Sequence, residues 1–415
     1  MSNTLKFGNG EWYGKEGAIL AYNDENNNYK PLLFNFDRVS SATRVNKDGL
    51  IETVGVDQPR VDYKDDSKGA LLLEPSRTNL VTYSEDFSNS YWVKANSFQT
   101  GGFVSPSGYS NANKISENTL DTIHQVYSEL ISTTVGQDYC YSIFAKKGER
   151  NWIKLQNGSI SQATFNLENG TIGTVNGSTA TIKDFGNGWY RCEIKFNAPY
   201  STDRLYVRLS QSNSIFTYLG DGKSGVYLWG AMVETGSYAT SYIPTQGSVV
   251  TRDKDVCNGA GNDSIFSEAE GVLYVESEAL ANDETSRVIA SISNSSENTN
   301  RVVLQYTNNV GGNQVVAFAQ TPSGYSSVHT ISITNALTFN KFAIVYNDNT
   351  NNFDLWVNGT KLGNGSLSSS FTANSLTTIQ LADGNALSNF FYGKIKDVRV
   401  YNKALTDAEL AALTS

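Results

Sequence analysis

The pair whose spacing best suits acid–base work is Glu276 and Glu278. They lie two apart in the alternating stretch Gly271 to Ala279, so on a strand their carboxyls share a face. Retaining glycoside hydrolysis needs two carboxyls about 5–5.5 Å apart, which such a pair could approach. Val272 and Tyr274 share that face, however, and no third acid follows in a matching pattern, so a solvated strand face accounts for the two glutamates. The chain has 2 histidines, His124 and His329, too few for a convincing Ser-His-Asp arrangement, and neither H-x-x-H nor C-x-x-C occurs to suggest zinc. The 3 cysteines, Cys140, Cys192 and Cys257, are odd in number and too few for a disulfide scaffold. Cys140 and Cys192 fall on predicted strands and read as ordinary buried thiols, with a bond between them left open.

What remains is chemistry of contact. In FDLWVNG, Phe353, Leu355 and Val357 should face a core, so Trp356 points the other way with Asp354 and Asn358. An indole flanked by an acid and an amide makes a candidate carbohydrate-binding face. The competing reading is that Trp356 covers the second face of a sheet under a loop, or packs on a neighbouring subunit. Trp92, Trp152, Trp189 and Trp229 sit among apolar residues and read as core.

The elements that would hold these residues are strands. Between Lys146 and Phe196, short apolar runs alternate with polar residues, and Asn-Gly pairs recur at Asn157-Gly158, Asn169-Gly170, Asn176-Gly177 and Asn187-Gly188. Both residue types tolerate the positive φ that tight hairpins demand. Tyr190, Cys192, Ile194 and Phe196 alternate cleanly, as do Tyr139, Tyr141, Ile143 and Ala145. Asp48-Gly49 predicts a turn between Thr43–Val45 and Leu50–Val54, and Leu71, Leu72 and Leu73 form a short buried run. Further strands are predicted at Leu205–Leu209, Val226–Val233, Arg287–Ser293, Arg301–Tyr306, Gln314–Ala319, Phe342–Tyr346 and Val398–Tyr401. Thr406 with Glu409 spells a capping box opening one short C-terminal helix through Leu413.

The expected fold class is therefore all-β: an irregular N-terminal adaptor, then two antiparallel β-sandwich (jelly-roll) domains and that one helix. The boundaries read as 1–80 for the adaptor, 81–246 for the first sandwich, 247–264 for a Gly/Asp/Asn-rich linker and 265–415 for the second sandwich. At 415 residues there is length for two or three domains with real cores. The formal charge of −9, with no basic cluster, argues against nucleic acid and against attraction to anionic membranes. The 23 tyrosines suit both polar recognition and simple strand propensity. No charged-then-apolar leader opens the chain and no window reaches membrane-span length, so synthesis in a cytoplasm is expected, with export only as part of something larger.

Several ordered strings add a resemblance. FDRVSSATRVNKDGLIETV (with Arg38, Ser40, Ala42, Thr43 and Asp48 to Glu52), then PRVDY (Pro59, Arg60, Asp62, Tyr63), then Leu72 to Leu80 resemble a module of tailed-bacteriophage structural proteins at head-fibre, tail-fibre or spike positions. GNGWYRCEI and YLWGAMVETGSYATSYIPT look like the carbohydrate-binding-module-like jelly roll that follows it in such proteins. FDLWVNG with GKIKDVRVYNKALTDAEL resembles the concanavalin A-like, laminin-G-like lectin fold. The resemblance implies a virion protein that joins other virion proteins through its N-terminal region, forms a homotrimer and adheres to host-surface or matrix glycans. Its rivals are a polysaccharide depolymerase and a decoration protein without a ligand. No cofactor is expected beyond a structural calcium, which both lectin-like folds often hold. Glu85, Asp86 and Glu234, at the first and last strands of the middle domain, are the candidate ligands, against the simpler reading of solvated acidic loops.

Overall fold

The computed structural model describes residues 4–10, 12–15, 18–23, 28–158, 161–283, 285–294, 299–307, 313–384 and 388–415. Its regular structure is nearly all strand, and among the described residues the one helix is Asp407–Thr414. The all-β expectation with one short C-terminal helix is met. The capping box is present as spelled: the Glu409 amide donates to Thr406 Oγ1 and the Thr406 amide donates to Glu409 Oε2 at 2.8 Å. Among the described residues no helix is long and apolar enough to cross a membrane.

The chain divides into two compact units. Unit 1 comprises Met1–Ser41, Val54–Pro75 and Asp253–Ser415, and unit 2 comprises Ala42–Thr53 and Ser76–Arg252. This partition is discontinuous where the sequence suggested consecutive blocks. The segment read as an adaptor is shared between the units, and 247–264, read as a linker, carries the strands Val250–Arg252 and Val256–Ala260.

In unit 1, one sheet runs Thr360–Gly365, Asn352–Val357, Asn340–Asn347, Glu270–Ala279 and Gly393–Tyr401. Beyond that last strand lie Leu5–Gly8 along one stretch and Ala70–Leu73 along another. A second sheet runs Gly324–Ser332, Gln314–Thr321, Arg301–Tyr306, Arg287–Ser293, Thr378–Gln380, Val256–Ala260 and Asn28–Asp37. Alternate residues of both sheets meet in one core that includes Phe7, Phe34, Leu71, Leu273, Ile292, Phe342, Leu355 and Val398. The segments of unit 1 are also tied by charge. Asp255 is buried between Arg38, whose Nη1 is 3.0 Å from Oδ1, and Arg60, which reaches Oδ2. Arg60 also pairs with Glu74 at 2.8 Å, and the Glu74 amide donates to Asp255. Arg38, Arg60 and Glu74 belong to the strings that suggested a virion module, and here they build the interior of unit 1.

Unit 2 is a sandwich of two six-stranded sheets. The first runs Trp92–Ala95, Gln125–Ser128, Leu205–Ser210, Trp152–Asn157, Gln162–Asn166 and Thr171–Asn176. The second runs Ser97–Phe103, Ala112–Glu117, Gly225–Thr235, Asp138–Lys147, Trp189–Asn197 and Thr179–Asp184. Tyr139, Tyr141, Ile143, Ala145, Cys192, Ile194 and Phe196 all enter the core between them, as their alternation predicted. The turn at Asn187-Gly188 has φ of 51° and 78°, the left-handed geometry that selects those two residues.

The two sheets differ in what lies outside them. The outer face of the second is buried again, under a cluster of Phe144, Trp189, Trp229, Met232, Tyr242 and Ile243 with Val45 and Ile51 of the hairpin Ala42–Val45/Ile51–Val54. Among the described residues no such cluster covers the outer face of the first sheet. The three cysteines are free and buried; burial pushes the thiols of Cys140 and Cys192 well up, which leaves them unreactive.

Candidate functional site

The sequence-predicted residues are placed as follows. Trp356 does point away from the core shared by Phe353, Leu355 and Val357. It is only 6% exposed, because Leu410, Ala411 and Leu413 of the helix close over it together with Val272, Tyr274, Ala343, Val345 and Tyr401. Asp354 is buried and its Oδ2 meets Lys361 Nζ at 2.7 Å and Asn352 Nδ2 at 2.8 Å. Asn358 occupies the hairpin turn with φ 48°, accepting from the Lys341 amide at 2.9 Å and donating to Asn340 Oδ1 at 2.9 Å. All three side chains are engaged within the fold, and the indole is not presented to a ligand. The physical reason is the helix, whose apolar side needs a cover and finds it in this ring.

The proposed calcium ligands do not converge. Glu85 accepts from Tyr242 Oη at 2.9 Å and Asn111 Nδ2 at 2.6 Å, and burial raises its carboxyl. Asp86 caps an exposed turn through the Ser88 amide at 3.0 Å. Glu234 is wholly buried, accepts from the Thr240 amide and hydroxyl at 2.8 and 2.7 Å, and is pushed up to about 7 by that burial. Among the described residues no three His, Cys, Asp or Glu side chains gather as a metal-ligand set.

Glu276 and Glu278 share a strand face, as their spacing requires, with lysines of the adjacent strand beside them. Lys396 lies 3.6 Å from Glu276 and Lys394 3.9 Å from Glu278. Burial raises the Glu278 carboxyl to about 7 while Lys394 pulls it back. A cleft of about 480 Å³ opens beside them, lined in part by Asp66, Tyr274, Glu276, Lys396, Asp397 and Arg399. Four of the charges that line it pair with each other: Lys396 with Asp66 at 2.6 Å and Arg399 with Asp397 at 2.6 Å. Each histidine is held by main chain, His124 by the carbonyls of Asn96 and Tyr218 at 2.8 and 3.1 Å, and His329 by that of Phe353 at 3.0 Å.

The arrangement with contact chemistry to spare lies on the outer face of the first sheet of unit 2. Its strands alternate in the plainest way. In Trp152–Asn157, Ile153 and Leu155 enter the core, so Trp152, Lys154 and Gln156 face out. In Leu205–Ser210, Leu205, Val207 and Leu209 enter the core, so Tyr206 and Arg208 face out. In Gln125–Ser128, Val126 enters the core, so Gln125 and Tyr127 face out. The register aligns them in two rows. Tyr127, Tyr206 and Gln156 stand side by side across three strands, and Gln125, Arg208, Lys154 and Thr164 across four.

Aromatic area and hydrogen-bonding capacity are interleaved in these rows. The rings of Tyr127 and Tyr206 are 5.0 Å apart. Arg208 Nε donates to Gln125 Oε1 at 2.9 Å. The loop 211–216 overhangs one side: Phe216 lies 4.3 Å from Lys154 Nζ, and Thr164 Oγ1 bonds Asn213 Oδ1 at 2.5 Å. Gln156 is 7% exposed and its Nε2 donates to the Gly158 carbonyl at 2.9 Å, while its Oε1 has no hydrogen-bond partner. Trp152 is thus not the core residue its apolar surroundings suggested. The signal that could have found this face was present in WIKLQN and LYVRLS, where strict alternation sends a tryptophan, a tyrosine and two cations outward together.

Comparison with known proteins gives the following. Residues 275–411 match the concanavalin A-like lectin/glucanases superfamily, within unit 1. No curated protein matches the chain. Among solved structures, a Ruminococcus gnavus IT-sialidase CBM40 bound to alpha2,3 sialyllactose is similar at 15% identity and a TM-score of 0.32, covering 38% of this chain and 94% of that one. The NanB sialidase from Streptococcus pneumoniae is similar at 13% identity and a TM-score of 0.31, covering 37% of this chain and 25% of that one. A heptameric SAP-like pentraxin from Limulus polyphemus is similar at 14% identity and a TM-score of 0.28, covering 35% of this chain and 70% of that one. Similarity at this level identifies neither a ligand nor an activity for the present chain.

Proposed function

We propose that this protein is a glycan-binding adhesin, with the outer face of the first sheet of unit 2 as its contact surface. The observation that carries the reading is the pair of cross-strand rows. Tyr127 and Tyr206 supply ring area for the apolar face of a pyranose, and Gln125, Gln156 and Arg208 supply hydrogen-bonding groups at its edge. Such surfaces bind through many modest contacts and carry out no reaction. The lectin-superfamily match of residues 275–411 supports the same class of activity for unit 1.

The ordered strings from Arg38 to Leu80 further support a tailed-phage virion as the setting, in a fibre, spike or decoration position, and as a homotrimer. Multiple copies on one particle would convert weak single-site binding into firm attachment. A glycan array probed with the full chain and with Tyr206→Ala tests the glycan reading. Binding by the wild type that the variant loses is the expected result. No binding by wild type to any polysaccharide overturns it, and release of reducing ends from a bound polymer would replace it with a depolymerase. Mass spectrometry of purified particles tests the virion setting, which fails if the chain is absent from them.

A further inference from the structure

Resting on that glycan reading, the geometry points to a narrower ligand class: a saccharide bearing a carboxylate, held at Lys154 and Arg208 with its ring on Tyr206 and Tyr127.

Lys154 and Arg208 are direct cross-strand partners on one face of the sheet. Like charges placed opposite each other destabilise a strand pair, so a sheet that carries them normally interleaves an acid. None does so here: among the described residues neither Lys154 nor Arg208 makes an ion pair. What faces Lys154 is Arg208 on one neighbouring strand, Thr164 on the other, and the Phe216 ring above, with Trp152 and Gln156 along its own strand. What faces Arg208 is Gln125 and Lys154 across the strands, with the Tyr206 ring 5.6 Å from its guanidinium carbon. Arg204 stands nearby over Tyr127 at 5.5 Å and adds a third cation without an ion pair.

Burial sharpens the point. Lys154 is 8% exposed and its ammonium is pushed down to about 8, first by burial and then by Arg208. Arg208 is lowered for the same first reason, burial. Two partly desolvated cations side by side repel each other across the strands, a cost to the free protein that no acid offsets. An anion between them reverses the sign of that interaction and gains strength from the same desolvation. A second, independent observation lies next to Lys154 on the same strand: the buried Gln156 Oε1, with no hydrogen-bond partner, can accept a hydrogen bond from a hydroxyl. A cationic pair, an acceptor two residues away and a tyrosine pair in the adjoining row match a carboxylate, a hydroxyl and a pyranose face on one sugar. A neutral glycan can take a hydrogen bond from Arg208 but makes no use of the paired positive charge.

The test is a titration of the full chain, by calorimetry, with three probes of equal length: a galacturonate hexamer, its carboxyl-reduced galactose counterpart, and a sulfated hexasaccharide. The uronate is expected to bind at least 10-fold more tightly than the reduced sugar, and the preference to shrink on adding salt. Lys154→Met and Arg208→Gln should each cost the uronate about 10-fold and the reduced sugar less than 2-fold. Lys154→Met removes a buried charge, so folding is not at risk, and its thermal midpoint should be at or above that of the wild type. Equal binding of uronate and reduced sugar overturns the acidic assignment and leaves the glycan reading standing. Binding of the sulfated probe alone overturns the carboxylate assignment. No binding of any probe, together with a silent glycan array, removes both.

Discussion

The outer faces of the two sandwiches use the same residue types to opposite ends. On unit 1, the strands Glu270–Ala279 and Gly393–Tyr401 set glutamates against lysines, and Asp66 and Asp397 complete the pairing with Lys396 and Arg399. The aromatic residue of that face, Trp356, lies under a helix. On unit 2, two cations oppose each other without an acid, and the aromatic residues Tyr127 and Tyr206 are partly exposed. One face closes its own electrostatic account within the fold, and the other does so only with something from outside. Charge on a sheet is thus informative about binding only after its partners have been traced.

Four substitutions can break or sharpen this contrast. The largest effect is expected for Asp255→Ala, which leaves the Arg38 and Arg60 guanidiniums facing each other in the interior of unit 1. Removing one partner of a buried ion network costs about 3–5 kcal/mol. Hydrogen exchange should show lost protection in the unit 1 strands, and unchanged protection there would break the claim that this network is structural. Trp356→Ala should cost about 3 kcal/mol by emptying the space under the helix, while leaving glycan binding within 2-fold. Loss of binding at unchanged stability would instead return the site to unit 1.

Tyr206→Ala should lower glycan affinity by about 10-fold, near 1.4 kcal/mol, with little change in the unfolding midpoint. A large stability loss with intact affinity would make the ring structural. The smallest effect is expected from Lys154→Met, a gain of roughly 1 kcal/mol at pH 7 from removing a desolvated charge. The gain has a defined pH window. The Lys154 ammonium sits at about 8 in the folded chain against an ordinary 10.5, so between those values the unfolded chain binds more protons. Wild-type stability therefore rises with pH across that interval, and the advantage of the variant fades as it does. A variant advantage that grows above pH 8 would show that burial of this charge is not its origin.

Much of the fold was readable from alternation alone. Arg287–Ser293 and Arg301–Tyr306 coincide with their predicted bounds, and the Thr406–Glu409 cap starts the helix where its spelling placed it. Alternation reports which side chains are buried, but not which segment covers them. That is why the contribution of Leu5–Gly8 and Ala70–Leu73 to the C-terminal sandwich was not legible, and why Trp356 could be aimed correctly and its cover missed. Trp152 shows a different limit: its apolar neighbours suggest a core residue, but the period decides, and Ile153 and Leu155 already fix the core face on the other side. Glu85 and Glu234 were grouped by their positions at strand ends. In the structure one is taken up by Tyr242 and Asn111 and the other by Thr240.

The return of the chain to unit 1 at Asp253 has a consequence for how the protein is made. Asp255, which neutralises Arg38 and Arg60, follows Glu74 by 181 residues. At ribosomal rates of about 5–20 residues per second, roughly 10–35 s separate the emergence of the two. Through that interval Ser76–Arg252 leaves the exit tunnel, joins Ala42–Thr53 that preceded it and is free to fold, while the two arginines wait in water. Vectorial synthesis thus imposes an order, the interrupted sandwich maturing after the one that interrupts it, and a chain ending at Arg252, once released from the ribosome, should already display a finished unit 2.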